Sequence, residues 1–225
     1  MIPWLKPTDP PDSFPPVTNA LTDPDGLLCA GGDLRPERLL AAYRRGIFPW
    51  YSEGQPILWW SPDPRMVLFA DELKVARSLG KSLRNRGFRV TFDTCFDTVI
   101  ALCADSGTRA HAGTWISPAM RAAYGELHRL GHAHSVETWL DGRLVGGLYG
   151  LLLGQVFFGE SMFSTETDAS KVALHELVHW LRQRNVGLID CQVASDHLFT
   201  LGARLLPRAD FIAHLERGIP ALAPD

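Results

Sequence analysis

Hydrophobic and polar positions change period several times along the chain, and each change marks an element. Prolines recur at 3, 7, 10, 11, 15 and 16, so residues 1–20 read as an extended arm and not as a helix. Gly31-Gly32-Asp33-Leu34-Arg35-Pro36 turns into a helix, with Asp33 as its cap, Leu39, Leu40 and Tyr43 on one side and Gly46 as the stop. Met66-Val67-Leu68-Phe69 reads as a strand, Asp71 to Arg86 as a helix, Phe88 to Phe92 as a strand and Phe96 to Ala104 as a helix. Ser117 caps a further helix with Pro118 at its first position, ending at Leu130-Gly131. Three apolar runs follow, Ala133 to Leu140, Leu144 to Leu153 and Val156 to Phe163, joined by Asp141-Gly142 and Gly154-Gln155, which are hairpin signals. The pattern closes with a helix from Asp168 or Ala169 to Gln183, a strand entered through Gly187, a short helix after Ser195, a strand from Ala203 to Leu206 and a helix from Arg208 to Arg217. Strands bunched at the centre with helices before and after predict an α+β fold with a mainly antiparallel sheet. A boundary near Pro64 separates a small N-terminal domain carrying the proline-rich arm (1–64) from a larger C-terminal domain (65–225).

The Gly187 strand is the one around which the chemistry gathers. In Gly187-Leu188-Ile189-Asp190-Cys191-Gln192-Val193, alternation puts Ile189, Cys191 and Val193 on one face and Asp190 and Gln192 on the other. A carboxylate beside a carboxamide is either the wet face of a half-exposed strand or the polar floor of a site. Glu160 is embedded in Phe158-Gly159-Glu160-Ser161-Met162-Phe163, and an acid among apolar strand residues is costly unless partnered, which favours a functional acid over an exposed edge position. Trp50, Trp59 and Trp60 fall within eleven residues punctuated by prolines, either packed under their own loop or forming the wall of a cleft. Gly146, Gly147 and Gly150 within one strand imply close approach of a neighbour or a ligand.

Composition narrows the classes. With 225 residues, 46% apolar and 21% charged, the chain has an ordinary soluble balance and a sizeable core. The net charge of −3 supplies no global positive field, so nucleic acid binding would need a local patch. One exists: Lys74, Arg77, Lys81 and Arg84 fall at i, i+3, i+7 and i+10 of the predicted Asp71–Arg86 helix, with no acid between Leu73 and Val90, a pattern suited to phosphates. Four cysteines without CxxC spacing read as free thiols in a reducing compartment. Without an export leader or an apolar run of membrane length, a cytoplasmic protein with no membrane partner is expected. His175-Glu176-Leu177-Val178-His179 matches the HExxH zinc-protease pattern in a helix, but no further ligand follows in the expected setting, so a metal is not expected. No Walker loop, GxGxxG or GxSxG supports nucleotide, dinucleotide or serine-hydrolase chemistry.

Several long words, taken together, resemble one family. Gly46-Ile47-Phe48-Pro49-Trp50, Trp59-Trp60-Ser61-Pro62-Asp63-Pro64-Arg65, Gly113-Thr114-Trp115-Ile116, Gly131-His132-Ala133-His134-Ser135, Phe158 to Ser164, Ala169-Ser170-Lys171 and Ile189-Asp190-Cys191-Gln192 are collinear with the leucyl/phenylalanyl-tRNA–protein transferases from about residue 20 to 210. The resemblance implies a bacterial enzyme moving Leu or Phe, and less well Met, from aminoacyl-tRNA to the α-amino group of proteins that begin with Arg or Lys. The product would be a signal for N-end rule degradation. It implies no cofactor, and a C-terminal domain like the GNAT acyltransferases. It assigns Asp190 and Gln192 as the catalytic pair, Glu160 as an acid lining the site, and Trp50 and Trp115 as holders of the donor's 3′ end. It further assigns Phe157, Leu174 and Ile189 to the apolar pocket. Leu148 and Leu177 depart from the Met and the aromatic usual at their pocket positions, and Ser195 stands where Asn is common. Arg77, Lys81 and Arg84 remain the expected tRNA contacts. In this reading Asp190 orients and polarises Gln192, whose carbonyl oxygen accepts an N–H of the attacking amine, while Glu160 and neighbouring acids attract the acceptor's cationic side chain.

Overall fold

Why the first residues stay extended is visible in how they are held. The computed structural model describes residues 2–106 and 114–220, leaving Gly113 of the Thr114-Trp115-Ile116 word outside. Strands β1 (Trp4–Leu5), β2 (Leu27–Gly31), β3 (Phe48–Pro49) and β4 (Leu58–Trp60) form a small sheet in the order β1-β2-β4-β3, with helix α1 (Pro36–Arg44) beside it. Proline-rich chain offers carbonyls but few N–H groups, and arginine forks supply the missing donors. The fully buried Arg38 donates to the carbonyls of Lys6, Asp9 and Pro10, and Arg45 donates to those of Asp12, Phe14 and Pro15. Asp33 does not cap α1: Pro36 opens that helix without a side-chain cap, while Asp33 accepts the N–H of Arg35 and pairs with Arg35 and Arg38. The proline at the first helical position has no N–H there to satisfy.

The larger sheet comprises β5 (Arg65–Phe69), β6 (Arg89–Phe92), β7 (Ala133–Leu140), β8 (Arg143–Leu153), β9 (Val156–Ser164), β10 (Leu188–Gln192) and β11 (Arg204–Leu206), in the order β11-β5-β10-β9-β8-β7-β6. Its neighbours are antiparallel except β9 and β10, which run parallel. Around it lie α2 (Arg77–Asn85), α3 (Phe96–Asp105), α4 (Pro118–Arg129), α5 (Ala169–Arg182), α6 (Asp196–Thr200) and α7 (Arg208–Gly218). Successive glycines of β8 show the layering: a Cβ on Gly146 would lie 2.6 Å from Ala169 at the start of α5, and one on Gly147 would lie 3.6 Å from Val99 of α3. Adjacent strand residues face opposite ways, so α3 and α5 cover opposite faces. The α+β plan with a mainly antiparallel central sheet is as expected. Ser117 caps α4 by accepting the N–H of Met120, as predicted.

Two further local expectations need correction. The helix predicted from Asp71 begins only at Arg77. The N–H of Lys74 goes to the carbonyl of Leu201, a bond across the fold that holds this stretch to a distant turn. The strict alternation along β10 also fails. Pairing of β10 with β5 shifts between Asp190 and Gln192, and Gln192 has φ +58°, so the chain kinks at the very pair expected to share a face.

Candidate active site

Parallel pairing between β9 and β10 runs through Leu188↔Val156, Ile189↔Phe157 and Asp190↔Phe158 and then stops. Beyond this point the two strands carry Gly159–Met162 and Cys191–Gln192, and the space between them opens into two cavities. The first, about 220 Å³, is lined by Leu68, Leu148, Phe157, Met162, Leu174, Leu177 and Ile189, with Ser195 and His197 among its polar neighbours. All five predicted pocket residues line it, brought together from β8, β9, α5 and β10. Ser195, whose role the sequence left open, caps α6 by accepting the N–H of Leu198. The second cavity, about 710 Å³, is walled by Phe48, Pro49, Trp50, Tyr51, Trp60 and Trp115. The tryptophan cluster therefore splits. Trp59 is core, its indole donating to Gly31 O at 2.9 Å; Trp60 donates to Trp50 O at 2.7 Å and steadies a half-exposed Trp50, the two rings 5.7 Å apart.

Glu160, Cys191 and Gln192 line both cavities and mark their junction. Among the described residues, Glu160 is the only carboxylate lining the two. Its partners are Tyr43 of α1 at 2.6 Å and Tyr124 of α4 at 3.1 Å; the two phenols also contact each other, so their two protons are shared among three contacts unless the carboxyl itself carries a third. Burial lifts its carboxyl to about 7, against the tyrosine hydrogen bonds, which pull it down; the negative charge of Asp190 adds to the rise and Arg65 opposes it. The sequence placed Tyr43 on one side of a helix and did not single out Tyr124; they lie 117 and 36 residues from the acid they serve, and no spacing links them to it.

Asp190 is not beside Gln192 in a cleft. It is fully buried, and both its oxygens are taken by Arg65, with Nε to Oδ1 at 2.8 Å and Nη2 to Oδ2 at 2.7 Å. It touches Gln192 through the backbone: Oδ1 accepts the Gln192 N–H at 3.0 Å. The bulge sends the carboxamide instead to the side of Ile189 and Cys191, and its Nε2 has no hydrogen-bond partner among the described residues. With both oxygens held in the arginine fork, Asp190 is enclosed with its countercharge and offers no free oxygen to a substrate. The expected neighbouring acids thus reduce to Glu160.

Elsewhere, Arg77, Lys81 and Arg84 are exposed on α2 and have no ion-pair partner among the described residues. α2 seats on the start of α5 through Ser82 to Asp168 and Arg86 to Glu166 and Thr167 O. His175 bonds to Glu176 and His179 to Gln183, and no group of three metal-binding side chains gathers among the described residues.

Comparison with known proteins agrees with these words. Residues 67–216 match the model of the leucyl/phenylalanyl-tRNA protein transferase family, and residues 32–63 match that of its N-terminal domain. A leucyl/phenylalanyl-tRNA–protein transferase of Azoarcus sp. (strain BH72) is 62% identical over 96% of this chain and 91% of its own. Another, of Stutzerimonas stutzeri (strain A1501), is 60% identical over 96% of each. The crystal structure of FemX aligns with TM-score 0.51 at 11% identity over 76% of this chain and 66% of that one, a likeness of fold alone. By sequence over nearly its whole length, the chain belongs to the leucyl/phenylalanyl-tRNA protein transferase family.

Proposed function

We propose that the chain transfers Leu or Phe, and less well Met, from aminoacyl-tRNA to the α-amino group of proteins beginning with Arg or Lys. This would take place in the cytoplasm and mark those proteins for N-end rule degradation. The observation that carries the reading is the meeting of an aromatic-walled cavity with a small apolar one at Glu160, Cys191 and Gln192. The terminal adenosine stacks among Trp50, Trp60 and Trp115, the donor side chain fills the pocket of Leu148, Phe157, Leu174, Leu177 and Ile189, and the ester carbonyl falls at the junction. The exposed row Arg77, Lys81 and Arg84 meets tRNA phosphates, a contact that positions without reading sequence. A division near Pro64, between the last strand of the small sheet and the first of the large one, fits this arrangement.

The amine nitrogen attacks the ester carbonyl carbon. A C–N bond forms, the C–O bond to the ribose breaks, and one amine proton passes to Glu160 and then to the departing ribose oxygen. Glu160, poised at about 7, gives up and regains a proton near neutral pH. Gln192 Oε1 accepts an N–H of the amine and so aims its lone pair. Asp190 keeps the turn at Gln192. Holding donor and amine in this alignment supplies several kcal/mol of the barrier.

The test is transfer of radiolabel from Leu-tRNA or Phe-tRNA to a protein that starts with Arg, with and without chelator. Label on the Arg-starting protein, none on an N-acetylated copy and no chelator effect are expected. Binding of the Arg-starting protein without labelling would make this a reader of N-termini, and chelator-sensitive cleavage would make it a zinc peptidase.

A further inference from the structure

We propose that Arg65 is a positioning residue for this reaction: one buried guanidinium fixes the turn at Gln192 and ties it to the aromatic wall of the larger cavity. The inference rests on the function proposed above. Arg65 is fully buried and its fork is spent in two directions. Nε and Nη2 grip Asp190, while Nη1 donates at 3.0 Å to the carbonyl of Gly46, which leads through Phe48 and Pro49 to Trp50. The rings of Phe48 and Phe211 pack against it, each centred 4.7 Å from the guanidinium carbon. β5, β10, β3 and α7 are thus registered on one rigid group.

The effect on Gln192 follows from geometry. A glutamine at φ +58° needs something to hold it there. The hold is its N–H bonded to Asp190 Oδ1, the same oxygen that Arg65 Nε fixes. Without the arginine, Asp190 would be an unpaired buried charge that must protonate or move. Gln192 would then relax toward regular strand alternation, which turns its side chain to the opposite face. The pair also borders Glu160, which is faced by Tyr43 from α1, Tyr124 from α4, Asp190 from β10 and Arg65 from β5.

The test uses two variants of the full chain. Arg65→Lys keeps a charge but loses the fork. The double substitution Arg65→Met with Asp190→Leu removes both charges, and replacing a buried ion pair by apolar residues often leaves stability intact. Both are expected to bind Phe-tRNA within about threefold of the parent while kcat falls at least tenfold in the first and about a hundredfold in the second. The double variant should also show a displaced acid limb in its pH–rate profile. A crystal structure of Arg65→Lys should show Gln192 outside the left-handed region. A folded double variant with parental kcat and pH profile, or Gln192 unmoved in Arg65→Lys, overturns the inference. Failure of the parent to transfer label would instead refute the function while leaving the structural arm to decide on Arg65.

Discussion

Glu160 shows how far one residue can be read. The sequence marks it as an acid that strand burial penalises unless it is partnered, and the structure supplies two phenols from helices remote in the chain. With its carboxyl at about 7, activity should rise as pH climbs through that value and the base is freed. Stability should move the other way. The folded state holds this proton more tightly than the unfolded chain, whose carboxyl titrates near ~4.3. The associated stabilisation is complete below that value and is lost as pH rises through about 7. Glu160→Gln should lower kcat by roughly 10²–10⁴ and flatten the fall in melting temperature between acid and neutral pH, measured by calorimetry. A parental pH profile in that variant would remove Glu160 from the chemistry.

At the scale of elements, the pattern located the helices and the seven strands of the large sheet, where hydrophobic period and turn residues agree; it gave none of the four short strands of the small sheet, which lie among prolines and clustered tryptophans. It erred where a long-range bond overrules local periodicity. Residues 71–76 have helical spacing, but Lys74 is claimed by Leu201. Gln192 sits in a strand pattern with no glycine to betray its bulge, and its cause is an aspartate locked by Arg65, 125 residues away in sequence. The pocket residues were legible through resemblance, since no period brings β8, β9, α5 and β10 to one point. The shortened α2 still presents Arg77, Lys81 and Arg84 at i, i+4 and i+7 on one face. Replacing Arg77 and Lys81 by Ala should weaken tRNA binding and lower the salt slope by about one per charge removed. The measurement is Kd against salt concentration, and an unchanged slope would discard this face.

For the molecule as a whole, the division of labour lies between two sheets whose order no alternation could reveal, because strand neighbours depend on contacts far apart in sequence. The proline-rich arm was legible as extended; that it is pinned by Arg38 and Arg45 was not. Arg45→Ala removes three hydrogen bonds to arm carbonyls. At ~1.5–3 kcal/mol each, with overlapping effects, a net loss of about 2–4 kcal/mol is expected, or roughly 5–12 °C in melting temperature for a chain of this size. Early proteolytic cleavage before residue 20 should accompany it, and an arm as resistant as the parent's would show the pin to be redundant.

The meeting of two cavities at three residues also bears on turnover. On the assignment proposed above, a charged donor is held by the aromatic wall, by its amino acid and by its phosphates, and once the amino acid departs on the acceptor that one hold is lost. Spent tRNA should therefore leave more readily than fresh tRNA, a bias toward cargo-bearing carriers built into the junction of the two cavities.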